Sequence, residues 1–263
     1  MSEIFIYCLL FGGFSGLCSG LLGVGGGIVI VPFLAWLLPL HGMPAEISMQ
    51  TAIATSLATI IVTSIAAIYA QNKRGAIDWK IVKFVTPGIA IGAFFGADLA
   101  HYLSTQLLSM IFGSFLLLNG LRMALKLTPN PERQLPSALP LSIAGSVLGL
   151  LSTVIGIGGG TFTVPYMLLH NVAMKRAIAF GSTFGLPIAI FGAISFIILG
   201  MKNPIPMAGN IGYINVPAFV GISVASLFAT VLGVHLAHTI PTAAMKKTFA
   251  VIMLCVGLKM LIG

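Results

Sequence analysis

The chain has 263 residues, of which 58% are hydrophobic and only 7% charged, and its net charge is +8. That balance excludes a water-soluble globular enzyme and places the chain in a lipid bilayer. The basic residues sit in short loops beside apolar runs and form no separate basic face, so topology explains them and a nucleic-acid partner is excluded.

In chain order, the N-terminal Met-Ser-Glu-Ile-Phe carries an acid where a cleaved signal peptide has lysine or arginine, and its apolar run is longer than a signal core. It is expected to stay as the first helix. Five apolar segments are predicted in each half: 4–22, a short 28–40, 46–70, 79–101 and 104–125, then 137–155, a short 161–170, 174–199, 213–238 and 242–262. The long ones approach the roughly 20 residues that a helix needs to cross about 30 Å of hydrocarbon. The polar stretches near 71–83, 126–137 and 200–215 are too short to bury a core of their own. Cys8, Cys18 and Cys255 lie in apolar segments without ligand spacing, so neither disulfides nor a metal site are expected, and no cofactor motif is present.

The chain is an internal duplication. Residues 16–34, GLCSGLLGVGGGIVIVPFL, match 149–167, GLLSTVIGIGGGTFTVPYM, at nine of nineteen positions with a shift of 133. Ala52-Ile53-Ala54 recurs as Ala177-Ile178-Ala179, and Gly96, Leu99, Ala100 and His101 recur as Gly233, Leu236, Ala237 and His238. The expected organisation is a first transmembrane repeat over 1–128, a cytoplasmic linker over 129–136 and a second repeat over 137–263. In each repeat Gly-x-Gly-Gly-Gly (Gly23, Gly25, Gly26, Gly27; Gly156, Gly158, Gly159, Gly160) interrupts the apolar run, because each glycine costs a helix about 1 kcal/mol relative to alanine.

The segments 28–40 and 161–170 are too short to span comfortably alone. Each reads as the return arm of a hairpin or as a tilted partial span that brings the chain back to its starting side. That gives each half odd parity and inverts one half relative to the other. Charge supports this topology: it gathers Lys73, Arg74, Lys80, Lys83, Arg122, Lys126, Arg133, Lys175, Arg176, Lys246 and Lys247 on the cytoplasmic side and leaves Lys202 and Lys259 opposite. Both termini then lie outside the cytoplasm. The rows Gly12-Gly16-Gly20, Gly88-Gly92-Gly96 and Gly145-Gly149-Thr153 predict close helix packing.

The glycine breaks have two readings. They are either hinges between short helices, or the place where helix N-termini, with unpaired N–H groups and positive dipole ends, hold an anion near the midplane. Under the second reading Gly25, Gly26, Gly27, Gly158, Gly159 and Gly160 supply backbone contacts, and Ser19, Ser152, Thr153, Thr161 and Thr163 stand close enough to add hydroxyls. They equally well bond to their own helix carbonyls. A second polar cluster, Gln50, Thr51, Thr55 and Ser56, is matched by Ser182 and Thr183; it serves either as glue between helices or as further ligands. Asp98 is the rare intramembrane acid, paired by the repeat with His235. Either it reaches an interface and packs, or the two form a protonatable relay. Gly-Val-Gly-Gly-Gly lacks the lysine of a P-loop, and no serine has a positioned base.

The twin Gly-x-Gly-Gly-Gly-x4-Pro stretches, Ala52-Ile53-Ala54-Thr55-Ser56 after the first, Ala177-Ile178-Ala179-Phe180-Gly181-Ser182 after the second, and the Gly-Leu-Arg/Lys endings of the halves resemble the sulfite exporter TauE/SafE family across essentially the whole chain. The resemblance implies a multi-pass transporter of the bacterial or archaeal inner membrane that moves small anions such as sulfite or an organosulfonate like sulfoacetate. It carries the two glycine stretches and the Thr55-Ser56 stretch over as functional, and offers no pattern for Asp98 and His235. The expectation is an all-α membrane protein with an inverted repeat, acting as a secondary anion transporter with proton coupling through Asp98 or a histidine. An anion channel and an intramembrane enzyme are the alternatives. Its partners are the small anion, the lipid and, left open, a second copy in a homo-oligomer.

Overall fold

The computed structural model describes residues 2–22, 25–125, 134–202, 209–236 and 242–262, without the side chains of 2, 21, 22, 234 and 242–248. Gly23, the linker at 129–133, His238 and the side chains of Lys126, Arg133, Lys246 and Lys247 lie outside the described residues. Ten α-helices carry the fold: α1 (Ser2–Leu22), α2 (Gly27–Leu40), α3 (Ser48–Lys73), α4 (Trp79–Tyr102), α5 (Thr105–Ala124), α6 (Ala138–Ile155), α7 (Gly160–Leu169), α8 (Met174–Lys202), α9 (Val216–Leu236) and α10 (Thr242–Ile262). Among the described residues, seven helices are long and apolar enough to cross a membrane. This is an all-α membrane architecture.

Helix starts follow the sequence. Asp78 caps α4 by accepting from the Lys80 N–H at 3.0 Å, Ser104 caps α5 through the Leu107 N–H at 3.3 Å, and Asn215 caps α9 through the Ala218 N–H at 3.0 Å. One element differs from expectation. Between α8 and α9, where only a loop leading into a helix from 213 is predicted, strands β1 (Asn210–Ile211) and β2 (Ile214–Asn215) form an antiparallel hairpin pairing Asn210 with Asn215 and Ile211 with Ile214. Its two-residue turn begins at Gly212 with φ 55°, the left-handed geometry that hairpins of this length use.

The short helices fold back. Phe33 of α2 stacks on Phe11 of α1 with ring centroids 3.7 Å apart, and His41, just past α2, reaches Glu3 at 3.8 Å and the ring of Tyr7. The end of α2 therefore lies beside the beginning of α1, as a return arm requires.

Packing runs across the middle of the chain. Gly88, Gly92 and Gly96 of α4 face the main chain of Ser142, Ser146 and Leu150 of α6, and Gly12 and Gly16 of α1 face Ile222 and Ser226 of α9. Both pairs run parallel. At Gly88 and Gly92 an added Cβ would overlap the facing carbonyl, so these backbones are as close as small residues allow. By contrast α3 and α8 run antiparallel, with Ser64 beside Gly185 and Leu57 beside Gly192, as do α5 and α10, with Gly113 beside Gly257 and Gly120 beside Leu254. These directions put Lys73, Arg74, Lys80, Lys83, Arg122, Lys175 and Arg176 at one end of the bundle. The hairpin, Glu3 and His41 lie at the other.

Candidate functional site

The two glycine turns meet at the centre. Gly25 and Gly26 both have positive φ, 80° and 76°, which swings the chain from α1 into α2 as no side-chain-bearing residue readily would. In the second copy Gly156 (φ 74°) ends α6: Ile157 N–H returns to the Ser152 carbonyl at 2.9 Å and Gly156 N–H to Thr153 at 3.1 Å, closing the helix in a left-handed cap. A Cβ on Gly25 would stand 3.3 Å from Gly158 Cα, and one on Gly27 only 2.6 Å from the Gly156 carbonyl oxygen. The Ser56 hydroxyl donates to that same oxygen at 2.9 Å, tying α3 to the second turn. The turns are in contact through backbone.

Beside them lies a cavity of about 10 Å³, room for about one water molecule. It is lined by Ser19 of α1, Gly25, Gly158 and Gly159 of the turns, Thr63, Ser64 and Ala67 of α3, and Gly181, Ser182 and Gly185 of α8. Thr63 and Ser182 bond back to their own helices at Ile60 and Ile178, 3.3 Å each, whereas Ser19 and Ser64, 6% and 4% exposed, have no hydrogen-bond partner among the described residues. Among the described residues no charged side chain lines the cavity. Helices α2 and α7 both begin at these turns, and their first N–H groups have no partner within their helices, so their positive dipole ends lie next to the cavity.

Of the residues proposed from sequence, the structure brings Ser19, Gly25, Gly158, Gly159 and Ser182 to the cavity. Gly27 and Ser56 brace the contact between the turns, Gly26 caps α2, and Gly160 packs against Gly181. Ser152, Thr153, Thr161 and Thr163 have buried hydroxyls without protein partners, and none lines the cavity. Thr183 bonds back to Ala179 at 2.8 Å. Gln50 and Thr55 are elsewhere: Gln50 donates to the Leu103 carbonyl at 2.7 Å and accepts from Thr105 at 3.1 Å, stapling α3 to the α4–α5 turn, while Thr55 accepts from the Asn215 N–H at 3.0 Å. Gln50→Ala is accordingly expected to destabilise the protein by about 1–2 kcal/mol, near 1 per hydrogen bond, with no change in KM for any anion; thermal unfolding in detergent and flux assays check this. Asp98 is half-buried and His235 exposed, and neither reaches the cavity. His101, one turn past Asp98, bonds the Tyr213 hydroxyl through Nδ1 at 2.9 Å.

Sequence reasoning missed Thr63, Ser64, Ala67 and Gly185, although the signal was available. Thr63, Ser64 and Ala67 fall seven, eight and eleven residues after Ser56, which is one continuous helix face.

A family model described as Sulfite exporter TauE/SafE matches residues 8–260. Among curated relatives, a probable membrane transporter protein of Haemophilus influenzae is 34% identical over 262 residues, covering 99% of each chain. One from Methanocaldococcus jannaschii is 28% identical, covering 94% of this chain and 91% of its own, and YunE of Bacillus subtilis is 29% identical, covering 76% and 80%. No solved structure matches. With helices fit to span, twin glycine turns at the centre and this match over nearly its whole length, the chain belongs to the sulfite exporter TauE/SafE family of multi-pass membrane transporters.

Proposed function

We propose that the protein is a secondary transporter of small sulfur-containing oxyanions, sulfite or an organosulfonate such as sulfoacetate, across the inner membrane. The observation that carries this reading is the cavity beside the glycine turns, where Ser19 and Ser64, without partners among the described residues, line a space next to the starts of two short helices. Such a site holds an anion through N–H and O–H donors alone. Without a lysine or arginine the binding is weak and exchangeable, which suits a carrier.

The halves form an inverted repeat in this proposal. What supports it is the matching of contacts under exchange of halves: α1 with α9 answers α6 with α4, and the equivalent helices α3 and α8, and α5 and α10, meet antiparallel. Alternating access then follows from movement of one half against the other. The cavity's small size, about one water molecule, favours a carrier over a wide pore, and a carrier alone shows counterflow acceleration. Proton coupling through Asp98 or His235 is a separable part of the proposal.

The test is uptake of labelled sulfite into proteoliposomes, with sulfate, thiosulfate, sulfoacetate and acetate as competitors, with and without a pH gradient. Saturable flux blocked by one sulfur anion is the expected outcome, and Ser64→Ala is expected to raise KM about tenfold, the worth of one hydrogen bond to a charged group. Absence of flux for every anion sinks the substrate assignment. Asp98→Asn with unchanged pH dependence removes the coupling role.

A further inference from the structure

We propose that the hairpin at 209–215 is the gate that closes the transport path on the side away from Lys73 and Arg74, a role that rests on the carrier reading above. The first repeat has nothing like it: α3 and α4 are joined by Arg74–Asp78 alone. The first strand is at the surface, with Gly209 and Ile211 exposed, but the turn's Tyr213 and the second strand reach inward. Tyr213, Ile214 and Asn215 are 4%, 7% and 0% exposed, and the Asn215 N–H donates to Thr55 Oγ1, seven residues into α3 and so about 10 Å below its first residue. Tyr213 and β2, seated at that depth, close the space between helices.

Its seat is built from three helices of both halves. α3 offers Thr55; α4 offers His101, which holds the Tyr213 hydroxyl at 2.9 Å; and α8 offers the Phe196 carbonyl, which accepts from the Tyr213 N–H at 3.4 Å. Gly200 and Gly212 leave no room for a Cβ where the hairpin touches α8. The cavity lies further along α3, at Thr63, Ser64 and Ala67, between Thr55 and the basic end. An anion leaving the cavity toward the hairpin end meets Thr55 and the hairpin seated on it. No such insert stands among the described residues toward the basic end. The turn's Tyr213 is held to α4 and α8 by two hydrogen bonds, and their loss would release the turn while Asn215 still caps α9.

Two measurements test this, in a background carrying Cys8→Ala, Cys18→Ala and Cys255→Ala. First, a membrane-impermeant methanethiosulfonate applied from the hairpin side should modify Thr55→Cys slowly, about fivefold faster when Tyr213→Phe removes one hydrogen bond, and faster again with Gly200→Ala, which pushes the hairpin off α8. Equal rates in all three overturn the gate. Second, oxidising Thr55→Cys with Asn215→Cys to a disulfide, the two thiols giving up two electrons and two protons to an added oxidant, should stop flux, and a reductant should restore it. Undiminished flux with the bridge complete overturns the gate and leaves the carrier standing. If the unmodified protein carries no anion, the carrier reading fails by itself, and the modification rates still decide whether the hairpin opens.

Discussion

Gly27→Ala is expected to lower anion flux at least tenfold while the protein still inserts in the membrane. The reason is one methyl group in a place already filled. It would sit 2.6 Å from the Gly156 carbonyl oxygen, 3.0 Å from Ile157 Cα and 3.1 Å from the Ser56 hydroxyl, which already donates to that carbonyl. Backbone blocks two of these directions, so the turns must separate and the Ser56 bond must lengthen or break. Overpacking of this kind costs roughly 1–3 kcal/mol, and here it acts where α2 and α7 point their free N–H groups. Gly13→Ala is the matched control, because its Cβ would meet nothing within 4 Å. It should leave flux unchanged and gain some helix propensity. Wild-type flux in Gly27→Ala would show that the touching turns are not part of the site.

The largest loss of stability is expected from Gly92→Val. Gly92 lies in the middle of the Gly88-Gly92-Gly96 row against α6, and even a Cβ there overlaps the Ser146 carbonyl. The seam cannot move by one residue alone, since Gly88 and Gly96 meet Ser142 and Leu150 through the same approach. From α6, Gly149 also faces backbone, a Cβ there standing 2.5 Å from the Ile89 carbonyl oxygen. A β-branched side chain should therefore open the α4–α6 pair along its length, at a cost of about 3 kcal/mol, the upper end for overpacked sites. Thermal or denaturant unfolding in detergent reads this directly. Ile91→Val, on the exposed side of the same helix, should cost little by comparison; equal effects of the two would contradict close packing at the glycine row.

Much of the architecture was legible because glycine and length carry it. Four glycines in five positions forbade a continuous helix, and the shortness of 28–40 left a return arm or a tilted partial span; Phe11 against Phe33 with His41 beside Glu3 puts the end of α2 beside the start of α1. The small-residue rows announced their helix faces, though sequence does not say which helix fills each face. The site was legible only in part. Polar residues in apolar helices look alike in sequence whether they line a cavity, as Ser64 does, staple a turn, as Gln50 does, or hold a hairpin, as Thr55 does. What separates them is tertiary position. The repeat also misled by its own regularity: the shift of 125 pairs Ile60 with Gly185 and Leu57 with Ser182, so the polar lining of one half stands where the other half is apolar. The hairpin escaped notice because two strands of two residues leave too short a pattern to see, and their hold comes from Thr55 and His101, more than a hundred residues earlier.

The pairing of α1 with α9 and α4 with α6 also governs how the chain is made. Gly12 finds its place against Ile222, which leaves the ribosome about 200 residues later, roughly 10–40 s at usual rates of synthesis. Through that interval α1 can persist as a lone span, since its own backbone bonds are satisfied in lipid, but its glycine face has no neighbour. Neither half is a finished unit at the moment of its release. Separately produced halves would have to find each other in the bilayer before either became compact, and a chain stopped before α9 would leave the Gly12–Gly16 strip open to whatever helix arrives first.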